Sequence, residues 1–359
     1  MRRLGTTPED ERRGLYTLIV LILAGLVVAG VLVSFALGRY PISPRQLLAA
    51  LRDKALELLS ALTGGAVTAT KSDLVTDQMR SILFNVRLPR VLLACLVGCC
   101  LSAAGASYQG VFQNPMAAPD ILGASSGAAA GAALAILLEL GSRMVMVFAF
   151  AASLITIALV MIVSRTARGN RLLRIILAGI MVSSLCNALT SFIKLVADPN
   201  NILPEITYWM MGSLAKTKPR EVLFVIVPMT LGIVPMLLLR WRINLLTLSD
   251  SEAKTMGVNV GAVRIAVIIC ATLVTAASVS VSGLIGWVGL VVPHLVRRLV
   301  GNNYRHLLPA SMLGGALFLL IVDNVSRNLL LTEIPIGILT SVIGAPFFIW
   351  LITRRKETI

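Results

Sequence analysis

Charge is what this chain has least of, acid most of all: 17 Asp and Glu stand against 32 Lys and Arg, and charged residues make up 14% of 359. A soluble domain of that length carries about 25%, so a water-exposed globular protein is excluded. Mean hydropathy of +0.88 points instead to an all-α polytopic membrane protein. Histidine is scarcer still. His294 and His306 have no HExxH pattern and no Asp/His cluster around them, so neither a metal site nor catalysis by this chain is expected. The five cysteines, Cys95, Cys99, Cys100, Cys186 and Cys270, all lie inside apolar runs and read as small hydrophobes. Cys95 and Cys99 share a helix face but lack a third soft ligand nearby. The net charge of +15 comes with no nucleic-acid module, because much of it flanks apolar spans, where basic residues set topology.

What is present is a series of long apolar runs. Arg2, Arg3, Arg12 and Arg13 precede a run over 15–37, too long for a signal-peptide core and long enough to span. Nine more follow at about 91–108, 121–140, 144–163, 172–195, 222–239, 263–281, 284–299, 307–325 and 336–352. Ten spans put both termini in the cytoplasm: a tail over 1–14, one membrane domain over 15–353 and a tail over 354–359. Arg240, Arg242, Lys254, Arg264, Arg297, Arg298 and Arg305 then fall on the inner side. The basic excess between Arg39 and Arg90 lies outside and suits an acidic extracellular partner. Within it, Ser43 and Pro44 start a helix over about 44–62 with Leu47, Leu48, Leu51, Ala55, Leu58, Leu59 and Leu62 at helical period, expected on the outer interface.

Intramembrane charge separates transporter mechanisms. An ion-coupled carrier of a small solute, the alternative reading, needs ionisable groups at mid-membrane. Asp323 alone qualifies, with Arg327 one turn away to neutralise it. Three look-alikes are set aside. Residues 64–72 resemble a phosphate loop, but Thr70 replaces the glycine before Lys71. Gly123–Gly127 fits G-x-S-x-G without a strand before it. Asn114-Pro115-Met116 is a single copy of a water-channel motif. Glycines spread through the spans, Gly127 and Gly131 among them, imply closely crossed helices.

Residues about 244–261 form a polar island between two apolar runs. Ser249 and Glu252 stand at capping-box spacing, and Gly257, free to turn left-handed, ends the helix after Met256. So short a helix draws its stability from docking, which makes this segment a surface for a partner.

These residues carry a resemblance. Val86-Arg87-Leu88-Pro89-Arg90; Gln109 with 113–119 (QNPMAAP) and Leu122-Gly123; Trp209 with Gly212-Ser213; and Ala253 with Met256-Gly257-Val258 come first. Then follow 283–290 (GLIGWVGL) with Pro293-His294 and Arg297, Leu308-Pro309, Asp323, Arg327, 333–337 (EIPIG) and 344–346 (GAP). In order and spacing they resemble the FecCD family of ABC-importer permeases. The resemblance implies the type II importer fold, with ten helices per subunit in a homodimer, two ATPase subunits beneath that bind ATP and Mg, and a substrate-binding protein above. It makes Ser249, Asp250, Glu252, Ala253, Met256, Gly257, Val258 and Asn259 the ATPase-coupling segment. Arg87, Arg90 and Arg327 become docking residues for the binding protein, with headgroup anchoring open for the first two and pairing to Asp323 for the third. Gln109, Asn114 and Pro115 fall at an inner gate or a helix cap. Trp209 and Ser213 serve as an outer gate or an interfacial anchor, and Gly283, Gly286, Gly289 and Pro293 as a bend beside the pathway or as close packing. The implied cargo is a metal chelate: ferric siderophore first, then haem or cobalamin.

Overall fold

The computed structural model describes residues 8–38, 40, 42–63, 72–166, 171–247 and 250–354, and all regular structure among them is helical. The first half holds α1 (Pro8–Ala36), α2 (Pro44–Leu62), α3 (Asp77–Ser81), α4 (Leu88–Val111), α5 (Ala124–Leu137), α6 (Gly141–Thr166) and α7 (Arg171–Val196). The second holds α8 (Ile202–Met210), α9 (Pro219–Leu246), α10 (Asp250–Thr255), α11 (Val260–Ser282), α12 (Val288–Val300), α13 (Tyr304–Asn328) and α14 (Ile336–Arg354). The ten expected membrane helices are α1, α4–α7, α9 and α11–α14. Helix α2 carries the expected cap: Gln46 N–H donates to Ser43 Oγ at 3.3 Å and Ser43 N–H to Gln46 Oε1 at 3.0 Å.

Helix α4 is the hub. Its sequence is apolar all round and rich in Ala, Gly and Ser, a pattern that has no solvent face to offer, and nearly every residue from Pro89 to Val111 is buried. It packs on α1, α9, α11, α12 and α13. Two glycine pairs set the approach. A Cβ on Gly98 would run into the Gly315 carbonyl of α13, and one on Gly105 into the Gly289 carbonyl of α12. Small residues supply helix contacts where lipid removes the hydrophobic drive. Gly127 and Gly131 press likewise on Ala152, Phe148 and Thr156 of α6, so that pair is internal packing. The periphery carries the lipid-facing residues, among them Leu21 of α1, Leu185 of α7 and Leu238 of α9.

Among the described residues seven helices are long and apolar enough to cross by themselves, and α14 falls short of that length; α5 and α12 are shorter still. With 14 and 13 residues each reaches only about 20 Å, against a hydrocarbon core of about 30 Å. The expected spans over 121–140 and 284–299 are therefore each part helix, part irregular chain. After α4 the chain turns and climbs back as a 3₁₀ turn over Pro119–Leu122. Gly123 sits against Ser183 Oγ, and Gly179 against the Ile121 carbonyl. Both positions are in the middle of the 26-residue α7, so α5 starts deep in the bundle because the preceding segment has consumed the inner half. From the other face, Gly283 (φ +67°) and Trp287 (φ +68°) bend the chain before α12 begins. Prolyl Pro119 then lies on Gly289, joining the two breaks.

Candidate transport pathway and docking surfaces

At the N-terminal end of α4, the expected outer end, Arg87 and Arg90 do not stand free for headgroups. Both are buried, as is Arg327. The Arg87 guanidinium donates to the carbonyls of Phe35 and Tyr40. Arg90 Nε lies 2.9 Å from Asp323 Oδ1 and its Nη2 2.9 Å from Glu333 Oε2, while Arg327 Nε is 3.1 Å from Asp323 Oδ2. The expected Asp323–Arg327 pair exists, then, inside a larger network that Arg90 joins. Asp323 is the twentieth residue of the 25-residue α13, towards its outer end rather than at mid-membrane, so the expectation of its depth is corrected. Arg87, Arg90, Arg327 and Glu333 together line an outer pocket of about 220 Å³.

Of the residues expected along the pathway, Trp209, Ser213 and Gly283 meet in a second outer pocket of about 140 Å³, beside Tyr208, Glu205 and Glu221. The backbone builds it: Ser213 N–H donates to Ser282 O at 2.8 Å, and Ile336 N–H to Gly212 O at 2.9 Å, so the short segment after α8 clamps the end of α11 to the start of α14. Gly286 faces a different and larger cavity, about 660 Å³, among α5, α7, α8 and α14. Gly289 and Pro293 are buried in packing and line neither.

At the inner end Gln109 is buried on the last turn of α4, and its Oε1 accepts from Arg297 Nη2 of α12 at 2.8 Å. Gln113 donates to Leu246 O at 2.8 Å. Asn114 is exposed and spends its Oδ1 on Met116 N–H at 2.9 Å, a local turn next to the half-buried Pro115. Gln109 thus ties helices together, whereas Asn114 shapes the chain reversal.

The polar island holds a short helix. α10 runs over Asp250–Thr255, Gly257 takes φ +75°, and Asn259 Oδ1 accepts from Ala262 N–H at 3.0 Å to start α11. Ser249 lies outside the described residues, and so does the Asp250 side chain. Ala253 is fully buried against the bundle and Val258 half-buried, whereas Glu252, Met256 and Gly257 are exposed. The stub is thus anchored by one small residue and leaves a large apolar one exposed.

The FecCD transport family model matches residues 18–354. The chain belongs to the FecCD family. A FecCD relative, the molybdate import system permease MolB of Haemophilus influenzae, is 40% identical over 342 residues, covering 95% of this chain and 97% of its own. The hemin transport permease HmuU of Yersinia pestis is 42% identical over 294 residues, covering 78% and 86%. A solved inward-facing ABC transporter of the metal-chelate type superposes with a TM-score of 0.81 at 38% identity, over 94% of this chain and 99% of that one. The FecCD chain therefore has the type II importer permease fold.

Asp120, Asn187 and Ser341 were missed in the sequence. They line the large cavity, but Asp120 sits in a stretch that reads as an inner loop. Only a span too short to be whole could have signalled that the loop re-enters.

Proposed function

We propose that this FecCD chain is the membrane permease of an ATP-binding-cassette importer and carries a metal chelate from a binding protein into the cytoplasm. Two copies would frame the pathway, with both termini inside. Each would take one ATPase subunit, bearing ATP and Mg, on α10, and the pair would share one binding protein over their arginine pockets. A ferric siderophore is the first choice of cargo, haem or cobalamin the next; relatives named for hemin and for molybdate show how widely the family ranges. The observation that carries this reading is the short helix of the polar island, docked through buried Ala253 with Glu252, Met256 and Gly257 exposed. An ion-coupled carrier has less to stand on, since Asp323 is neutralised by two arginines near one face.

The test is reconstitution. In liposomes this chain alone should move nothing under a pH or sodium gradient; with its ATPase and binding protein it should accumulate ferric chelate only with ATP. Gradient-driven uptake without nucleotide would overturn the proposal.

A further inference from the structure

The cavity of about 660 Å³ contains one acidic side chain. Among its described lining residues Asp120 is the sole ionisable group; Ser125, Ser126, Asn187 and Ser341 add hydroxyl and amide groups, and the other walls are apolar or glycine. Asp120 is exposed to this space and deep in the bundle, because its neighbours Ile121 and Gly123 sit level with Gly179 and Ser183 of α7. Its carboxylate accepts from the Ser125 hydroxyl and backbone N–H, which answers the partial positive charge at the start of α5. A carboxylate has about four acceptor sites, so acceptor capacity remains for the cavity. At the start of α12, Val288 N–H donates to Gly286 O, and Leu290 and Val291 N–H both donate to Trp287 O.

We infer that Asp120, with Ser126, Asn187 and Ser341, forms a charge-selective step in the pathway that passes chelates of zero or positive net charge carrying N–H or O–H donors and rejects bare oxyanions. The inference rests on the importer reading above and narrows its substrate. In a wall of low polarity a fixed carboxylate acts strongly on a passing ion, and a dianion meets twice the repulsion of a monoanion. Relatives of near-equal identity are named for molybdate and for hemin, so ancestry does not choose between these cargoes. A carboxylate at Asp120 disfavours both, the molybdate dianion more strongly than hemin with its two propionates.

Two measurements test it, and the first needs neither substrate nor partner. In a variant with its native cysteines replaced, Ser341→Cys reports the local potential through its rates with a cationic and an anionic methanethiosulfonate in lipid nanodiscs. The cationic reagent should be favoured, and Asp120→Asn should cut the rate ratio by at least about threefold, while Asp120→Glu preserves it. A faster anionic reagent, or a ratio unmoved by Asp120→Asn, overturns the inference; a merely structural Asp120 would leave the ratio in place. In the second, the complete transporter in proteoliposomes is given a cationic ferric trihydroxamate, a neutral one and molybdate. ATP-driven uptake of the chelates should exceed that of molybdate by about tenfold or more; molybdate carried as fast overturns the inference. Should nothing be taken up with ATP, the importer reading fails, and the thiol rates still decide the charge of the cavity.

Discussion

Arg90 holds two carboxylates at once: Nε donates to Asp323 at 2.9 Å and Nη1 to Glu333 Oε1 at 3.0 Å. The first ties α4 to α13, the second to the outer connection before α14. Buried guanidinium pairs are stable only while every partner is present, since the cost of one stranded charge is about 3–5 kcal/mol. Arg90→Ala should therefore lower the stability of the purified subunit by about that much, and Arg90→Lys should recover little, because an ammonium cannot span both acids. Glu333, partly exposed at 30%, has water as a substitute partner; Glu333→Gln should cost less than about 1 kcal/mol. Thermal unfolding in detergent, followed by size-exclusion fluorescence, separates these outcomes. Equal losses for Arg90→Ala and Glu333→Gln would show that the network is not held at Arg90.

Arg87 is the arginine left for a visitor. Its guanidinium is held by two carbonyls rather than by a described carboxylate, and it lines the same outer pocket as Arg90, Arg327 and Glu333. Three arginines against Asp323 and Glu333 leave about one positive charge to meet an acidic side chain of a docking protein. Arg87→Gln keeps an amide donor for the carbonyls but removes the charge. The expected result is a binding-protein affinity reduced at least about fivefold at low ionic strength, with a shallower salt dependence and an unchanged unfolding temperature. Affinity that falls only together with stability would assign Arg87 to architecture alone.

The coupling stub yields a test free of packing effects. A Cβ on Gly257 would meet nothing within 4 Å, yet the residue sits at φ +75°, a conformation that costs an L-residue about 1–2 kcal/mol. Gly257→Leu together with Glu252→Ala should therefore reorient the exposed end of α10 while leaving the bundle intact. ATP hydrolysis by the assembled transporter should persist while ATP-driven uptake falls at least about tenfold. Uptake that stays at the parent level in vesicles would mean that the stub transmits no motion.

How much of this was legible beforehand follows from where each signal lives. Helix existence is written in apolar runs and caps, so α2 with its Ser43–Gln46 box and α10 with its Gly257 stop were visible residue by residue. The polar island was legible for the same reason: polar residues are conspicuous between two apolar runs. Depth is a different kind of fact. The 121–140 run carries no charge before Glu139, and nothing in its composition marks that Ile121–Gly123 is a turn pressed on α7 before α5 begins. That is why Asp120, just before the turn, goes unmarked in the sequence. The partners of Arg90 were equally hidden, since Asp323 and Glu333 lie more than two hundred residues away and only the packing of α4 on α13 joins them.

The glycine run before and within α12 shows how one motif serves three physical needs, each with its own consequence. Gly283 is at φ +67°, with Trp209 O where a Cβ would go; Gly286 has open space in the same direction; Gly289 has the Leu101 carbonyl and Pro119 there at 2.5–2.7 Å. Gly289→Ala must therefore push α12 from α4 and displace the re-entrant turn. Overpacking of this kind costs about 1–3 kcal/mol or more, so a clear drop in unfolding temperature is expected. Gly283→Ala adds backbone strain to a clash and should be no milder. Gly286→Ala should leave the unfolding temperature within error, because its methyl enters the large cavity and touches no helix; its effect belongs to transport, where a narrower passage slows bulky cargo more than small. If all three variants lose stability alike, the run is a uniform packing seam and Gly286 faces no cavity.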